Sequence, residues 1–533
     1  MLLATWDTDR IKHYVFGTSR LREIRGASAI LDELNDTEIR REVSAIVGES
    51  RIIYTGGGTA LALVDNQAQV DELTQKIERR YSEETHTAEI TSAFIEVAKE
   101  DLETRFGEMV RLLNHKLRAV KDGKASTRNC ISSPVLKVCE SCGQYPASTF
   151  DKSSKDFVCC SCEAKRKRGR AIRDGLHGYR SRLGDFLQTQ KAKERWPGAG
   201  VENAPEDFND IGAVSRPPGY IGFIYCDGNR MGDVMGHLGT REAFRTFSSE
   251  LRNTMVEVVS DSLIESFGEM RPLPDKADKR VLPFEIIFIG GDDLMLVAAA
   301  DKAVEIACTL CSRFEEHGAR IFERAGISPP QRLSMSAGVV LAHASLPIYH
   351  LQTVADDLLK SAKRRSLDLL RNRDEERSCI DFHVVTASAS ESPALMRKTE
   401  WVRQSEGLSL TERPYTPNEL LVLLDRIRAL RRSGFPNSKL QLLYEAIVDR
   451  SKENAMFTWA FVAGRARRSN DEDKNQFKKL IDFFAEPDAI RAEEDGNLLP
   501  DSGGLSQWPW RKRDGDRLST PMLDVAELYD FIR

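Results

Sequence analysis

Three acidic side chains in this chain have the placement of a metal cradle. Asp227 closes the apolar run IGFIYC, and Asp292 and Asp293 stand side by side in IFIGGDDLMLVAAA, between two apolar runs. Adjacent carboxylates repel, and a carboxylate among buried strands costs free energy unless it is paired or metal-bound. Magnesium or manganese suits such a place, taking hard oxygen ligands from a few carboxylates and the rest from phosphate and water. If the strands are neighbours, Asp227, Asp292 and Asp293 form a catalytic cluster. Two ions there would ease attack of a 3′-hydroxyl on an α-phosphate. Gly290 and Gly291, without a Cβ, would admit a triphosphate close to the backbone. The Gly228 carbonyl and the Asn229 amide oxygen could add ligands. Lys363 in LLKSAKRRS, with Arg364 and Arg365 behind it, is the candidate phosphate clamp, against the alternative of a solvated helix face. GGDD alone also suits an ordinary hairpin turn; a second acid-bearing strand end makes the chemical reading more specific. No side chain stands out as a general base.

A second group is built from sulfur. Cys139-x-x-Cys142 and Cys159-x-x-Cys162 are two knuckles sixteen residues apart, a spacing that suits tetrahedral four-thiolate zinc. Thiolates are soft ligands, and four of them close the site, so this zinc is structural. Cys160 could replace Cys159, and a redox pair is the rival reading. Cys130, Cys226, Cys308, Cys311 and Cys379 read as ordinary thiols.

Ten cysteines without an export signal point to a reducing, cytoplasmic setting. The opening MLLATWDTDRIKHYVF reads as a first strand rather than a signal peptide, and no apolar run reaches membrane-span length. A net charge of -5 argues against a protein that coats nucleic acid. It leaves room for a local basic patch, and EAKRKRGRAIRDGLHGYRSR is either an RNA or partner contact or a solvated helix.

The elements that must position these groups repeat. At 533 residues the chain exceeds one core. LLATW reads as a strand, IKHYVF to SAILDEL as helix, RIIYTGGGTALALV as a glycine-jointed hairpin, TAEITSAFIEVA as a strand, and Asp101 to Val120 as helix. After the cysteines and a polar linker from about Trp196 to Pro218, the order recurs. YIGFIYC is a strand, Arg241 to Phe267 a helix, PFEIIFIGGDDLMLVAA a hairpin, Lys302 to Ala325 a helix, RLSMSAGVVLAH a strand, VADDLLKSAKRRS a helix and CIDFHVV a strand. The repeat sets Asp7 against Asp227, and Gly58 and Thr59 against Asp292 and Asp293, so the first copy should hold metal poorly. From about Tyr415 the chain turns helical in NELLVLLDRIRALRR, SKLQLLYEAIVDR, NQFKKLIDFFA and DVAELYDFI, with a loop-like insert around Asp495 to Pro521.

The second copy resembles the palm of the GGDEF and class III nucleotidyl cyclase superfamily. The whole chain is similar to the large polymerase-cyclase subunit of type III CRISPR effector complexes, in a form lacking the HD nuclease domain. LREIRGASAILDEL resembles that family's first palm helix and TPMLDVAELYDFI its C-terminal end. The resemblance implies an α+β fold of two ferredoxin-like palms, a zinc module between them and a C-terminal helical domain. The expected divisions are 1–130, a degenerate first palm; 131–215, the zinc module with its basic helical linker; 216–400, the second palm; and 401–533, the helical domain. It implies that Asp227, Asp292 and Asp293 bind the ions that activate ATP, with cyclic oligoadenylate as an antiviral signal. Gly56 and Gly57 would lie near an acceptor nucleotide. It leaves RNA, CRISPR effector subunits and a second copy of this chain open as partners. The family's DGD motif is Asp227-Gly228-Asn229 here, and no His-Asp dipeptide occurs. The rival readings are a catalytically silent scaffold of an RNA-guided complex and a GGDEF-type synthase of cyclic dinucleotides from GTP.

Overall fold

The structure, a computed structural model, describes residues 1–124, 135–175, 181–328, 332–385, 392–403, 407–449, 452–468, 511–512 and 518–532. Cys130, the helix expected in NQFKKLIDFFA and most of the loop-like insert after Asp495 lie outside them.

Strands β1 (Leu2–Asp9), β2 (Ile52–Gly56), β3 (Thr59–Val64) and β4 (Glu89–Glu96) form an antiparallel sheet in the order β2-β3-β1-β4. Helices Leu21–Glu33 and Gln67–Thr85 make its crossovers, which is the ferredoxin-like arrangement. Central β1 is buried through Trp6, as its apolar run anticipates. Asn66 caps the second crossover helix by accepting from Gln69 N at 3.1 Å.

A short hairpin, β5 (Thr149–Asp151) and β6 (Asp156–Val158), belongs to the cysteine module. The second sheet then repeats the first and extends it. Its strands are β7 (Tyr220–Gly228), β10 (Phe284–Ile289), β11 (Leu294–Ala299), β12 (Met335–His343) and β13 (Ile380–Val385), in the order β10-β11-β7-β12-β13. Strand β13 runs parallel to β12 after helix Ile348–Arg373, which a parallel crossover requires. Between the first crossover helix and β10 lies a side hairpin, β8 (Arg271–Leu273) and β9 (Lys276–Val281). Its sequence, RPLPDKADKRV, is charged, proline-bearing and without clear alternation, so periodicity does not announce it.

The two units pack through specific contacts. Buried Arg25 of the first pairs with Glu285 of the second, and Ser28 Oγ donates to Ile287 O at 2.5 Å. Phe106 N and Gly107 N donate to Gly239 O and Leu238 O at 2.9 and 2.8 Å, and a Cβ at Gly107 would lie 2.4 Å from Met235 O. Phe16 meets Phe223 edge-on, with centroids 5.7 Å apart. The stretch read as a polar linker is also packed. Trp196, Phe208 and Ile211 are buried, and Trp196 lies 5.9 Å from Phe284 of β10.

At the C-terminal end are helices Pro417–Arg432, Asn437–Asp449, Lys452–Arg468 and Met522–Leu528. The first opens on a Thr416–Glu419 capping box with Pro417 behind it. Two-residue strands at 402–403, 408–409, 511–512 and 518–519 add a small sheet, too short for sequence periodicity to reveal. Arg413, fully buried, donates to Asp524 at 2.9 Å, Glu527 at 2.7 Å and Phe382 O at 2.8 Å, fastening the last helix to β13. Among the described residues, no helix is long and apolar enough to cross a membrane.

Candidate active site

The β7–β11 register sets Leu294 opposite Cys226, which brings Asp293 level with Asp227 at one end of the sheet. Strand β12 flanks the other side of β7, with Ser336 opposite Asp227. Gly290 N donates to Asp293 O at 2.7 Å and closes the turn. Neither glycine of GGDD has a positive φ; at Gly290 the requirement is space. A Cβ at Gly290 would meet the Phe288 ring at 2.9 Å, and one at Gly228 would meet Asp292 Oδ2 at 2.7 Å. Gly228 thus lets Asp292 lie against the end of β7.

The electrostatics are unfavourable without a cation. Burial, then Asp227 nearby, push Asp292 up to about 6, with Lys363 opposing. Burial, a hydrogen bond with Asp227 and the charges of both neighbouring acids push Asp293 well above the carboxylate range, against Lys12. Asp293 Oδ1 is buried without a hydrogen-bond partner. A hard divalent ion fits this set, because it would neutralise the acids and take the orphan oxygen as a ligand. The side chains do not converge as a finished chelate: among the described residues, only the four cysteines bring ligand atoms all within 4.8 Å of one another.

Lys363 pairs with Asp227 and donates to Gly228 O at 2.9 Å, so helix Ile348–Arg373 delivers an ammonium to the acids. Arg365 points away to Glu419 at 3.1 Å, bracing that helix on the C-terminal unit. Lys12, from the first unit, sits 4.2 Å over the Tyr225 ring and 3.0 Å from Asp356. Sequence reasoning missed Lys12, whose closeness to Asp293 exists only once the two sheets meet. Asn229 is placed differently from expectation. It is buried, its Oδ1 accepts from Ser336 Oγ at 2.8 Å, and its Nδ2 donates to Ser334 and Ser366. It braces β7 against β12, with its Oδ1 already accepting from Ser336. The Gly228 carbonyl is likewise engaged by Lys363.

A cavity of about 780 Å³ opens beside Asp293, between the two units, with Lys12, Gly57, Phe288, Met295 and Tyr349 in its walls. That size is right for one or two small organic ligands. The glycine turn of the first unit faces GGDD across the interface. A Cβ on Gly57 would lie 3.6 Å from Gly291 N and 3.9 Å from Gly290 Cα.

In the first unit the register sets Thr59 opposite Asp7. Thr59 donates to Asp7, and Lys121 pairs with both Asp7 and Asp9, the latter at 2.8 Å. Lys124 adds a contact to Asp9 at 3.2 Å. The acids retained here already have ammonium partners.

Cys139, Cys142, Cys159 and Cys162 form one cluster, with Cys142 and Cys159 sulfurs 3.8 Å apart. A tetrahedron with zinc–sulfur bonds of about 2.3 Å has edges of roughly 3.8 Å, so the spacing fits such an ion. Cys159, not Cys160, belongs to the cluster; Cys160 is exposed and donates to Ser148 Oγ at 3.3 Å. The basic run after it is largely engaged within the molecule. Arg166 is buried against Glu23, Asp151 and Asp156, Arg168 pairs with Glu33, and Arg182 with Asp32.

Residues 220–373 match the family model for Cas10/Cmr2, second palm domain. A curated relative, the CRISPR system Cmr subunit Cmr2 of Pyrococcus furiosus, is 26% identical over 160 residues, which are 28% of this chain and 17% of that protein. The matched part is thus under a fifth of the relative's length. A crystal structure of Csm1 in T. onnurineus superposes with a TM-score of 0.55 at 16% identity, covering 99% of this chain and 69% of that one. A Csm1–Csm4 cassette in complex with cA4 gives 0.51 at 15%, covering 100% and 70%. At these identities the structural likeness is one of fold.

Proposed function

We propose that this protein is a divalent-metal-dependent nucleotidyltransferase that joins ATP into cyclic oligoadenylate, as a subunit of a type III CRISPR-like defence system. The observation that carries the reading is the Asp292–Asp293 pair, held above its ordinary pKa range beside Asp227 and opening onto the cavity between the palms. A half-buried acid pair whose ionisation is opposed by its surroundings is a poor turn and a good metal site. The second-palm match and the related cassette bound to cA4 supply the chemical class.

Asp227, Asp292 and Asp293 would hold magnesium or manganese, which supplies charge neutralisation at the triphosphate and acidifies the attacking hydroxyl. A 3′-hydroxyl gives up its proton to solvent water as its oxygen bonds to the α-phosphorus of a second ATP, the bond from that phosphorus to the bridging oxygen breaks, and pyrophosphate leaves. Lys363, alongside Asp227, turns to the phosphates and stabilises the charge that develops on them. Phe288 and Tyr349 offer ring faces for the bases. Gly57, with no side chain, lets the first palm close on the second nucleotide. The four cysteines hold a structural zinc ion, and related effector subunits, as in the Csm1–Csm4 cassette, are the partners.

The test is incubation of the purified chain with magnesium or manganese and each NTP, with and without RNA, and resolution of products by mass. Cyclic or linear oligoadenylate from wild type, absent from Asp292→Ala plus Asp293→Ala, is expected. No product under any condition would leave the silent scaffold as the better reading, and a cyclic dinucleotide from GTP the GGDEF-type synthase.

A further inference from the structure

The cysteine module is docked too firmly, and too near the cavity, to be only a spacer. Its helix, Cys160–Arg173, crosses Leu21–Glu33 of the first palm at a contact where neither side has room for a side chain. A Cβ on Gly26 would lie 2.0 Å from Lys165 O, and one on Gly169 2.2 Å from Arg22 O. Ser141 Oγ lies 3.1 Å from Thr18 Oγ1, and Ser161 Oγ 2.9 Å from Thr87 Oγ1. Lys165 Nζ donates to Tyr14 O at 2.6 Å. The first knuckle, Cys142-Gly143-Gln144, is therefore fixed relative to β1 and the loop after it.

That knuckle forms cavity wall. Cys142 and Gln144 line the large cavity that contains Asp293, and also a second one of about 280 Å³ over Asp9, Lys121 and Lys124. Arg10 and His13 line both as well, so Gln144 stands where the two spaces join. Gln144 is exposed, and its side-chain amide has no hydrogen-bond partner among the described residues. An unpartnered carboxamide on an anchored stretch of backbone, lining a nucleotide-sized space that Phe288 and Tyr349 also line, has the chemistry of a base reader.

We infer that Gln144 reads the edge of a nucleobase in the palm–palm cavity, which makes the cysteine module part of the substrate site. A carboxamide presents one acceptor beside one donor. Adenine offers the complement, an N6 amino donor beside the N7 acceptor; guanine offers two acceptors there, O6 and N7, and cannot satisfy both. The inference rests on the nucleotidyltransferase reading and deepens it by naming what selects the base.

The experiment compares the full-length wild type with Gln144→Ala and Gln144→Asn. It measures dissociation constants for non-hydrolysable ATP and GTP analogues, steady-state kinetics with both NTPs, zinc content and thermal unfolding. Loss of one bidentate base contact is expected to weaken ATP-analogue binding and raise KM by about tenfold. It leaves kcat within about twofold, since the group does not act on the reacting phosphate. Preference for ATP over GTP falls, while zinc content and unfolding stay at wild-type values. Gln144→Ala that binds both analogues as wild type does, with unchanged base preference, overturns the inference while the enzyme reading stands. Wild type that binds neither analogue overturns the enzyme reading, and this inference with it.

Discussion

The two palms share a backbone plan down to an unusual detail and differ in how they treat charge. After β1 the chain turns through Arg10 at φ 50°, and after β7 through Arg230 at φ 50°, a left-handed conformation uncommon for arginine. Asp7 and Asp227 occupy the same register, opposite Thr59 and level with Asp293 respectively. The turns are not the same. The first closes at Gly56–Thr59 around Gly57 and Gly58, whose φ values of 62° and 91° suit a tight two-residue hairpin turn. A Cβ on Gly58 would also strike Ile11 Cδ1 at 2.4 Å. The second turn spans Gly290 to Asp293 without a positive φ. The first palm has therefore not merely exchanged two acids: its turn has no place for a side chain at one of them, and lysines answer the acids it keeps. In the first palm lysines pair with both retained acids, whereas in the second Lys363 pairs with Asp227 and leaves Asp292 and Asp293 above their ordinary range.

The sharpest way to break this comparison is to remove acids from each side. Asp292→Asn plus Asp293→Asn is expected to lower oligoadenylate formation on the order of 10³-fold or more, because the ions lose their ligands. Asp7→Asn plus Asp9→Asn should leave turnover within a few-fold but lower the unfolding temperature, since Lys121 and Lys124 lose their partners. If the first-palm pair abolished product while leaving stability intact, the division of roles would be wrong. The lysines test the same difference more gently. Lys363→Met should reduce kcat about 10²-fold through lost phosphate stabilisation. Lys121→Met should act on stability alone.

Much of this contrast was legible in the sequence, for a physical reason. Both hairpins turn on glycine pairs after apolar strands, so the alignment of Gly58 and Thr59 with Asp292 and Asp293 follows from local pattern, and the register agrees with it. Spacing likewise identified the four cysteines, because a tetrahedral site needs closely spaced pairs. What stayed hidden depends on chain segments far apart in sequence. Lys121 and Lys124 end a helix more than a hundred residues beyond Asp7, and Lys12 reaches Asp293 only across the palm interface. The bonds of Asn229 to Ser334, Ser336 and Ser366 were hidden too, because local order cannot tell a strand-end side chain facing the cleft from one facing the elements behind it. The basic run read as a partner contact or a solvated helix, and in it Arg166, Arg168 and Arg182 are counterions for Glu23, Glu33 and Asp32.

The smallest effect is also the most specific to the electrostatics. In the second palm, burial and Asp227 hold Asp292 near 6, above the ordinary 3.8. The folded state then binds this proton more tightly than the unfolded chain, so without metal, stability falls as pH rises from about 4 to 6 and stays lower above that. In the first palm the sign reverses. Burial alone would raise Asp9, but Lys121, Thr91 and Lys124 outweigh it and hold the group below its ordinary value. Its contribution is present above about pH 4 and fades only in more acid solution. Unfolding temperatures measured between pH 4 and 7 in buffer free of magnesium and manganese, without chelator so that the cysteine site keeps its zinc, should show Asp292→Asn plus Asp293→Asn gaining on wild type as pH rises, by a few degrees at neutral pH. Asp7→Asn plus Asp9→Asn should lie below wild type by a nearly constant margin over the same range, a margin that narrows only below about pH 4. Saturating manganese should reverse the first difference and leave the second, because the ion takes over in wild type the neutralisation that the amides supply in the variant. Divalent affinity should weaken below about pH 6 as protons compete for Asp292 and Asp293. Two variants that tracked wild type at every pH would mean that both palms manage their acids in the same way.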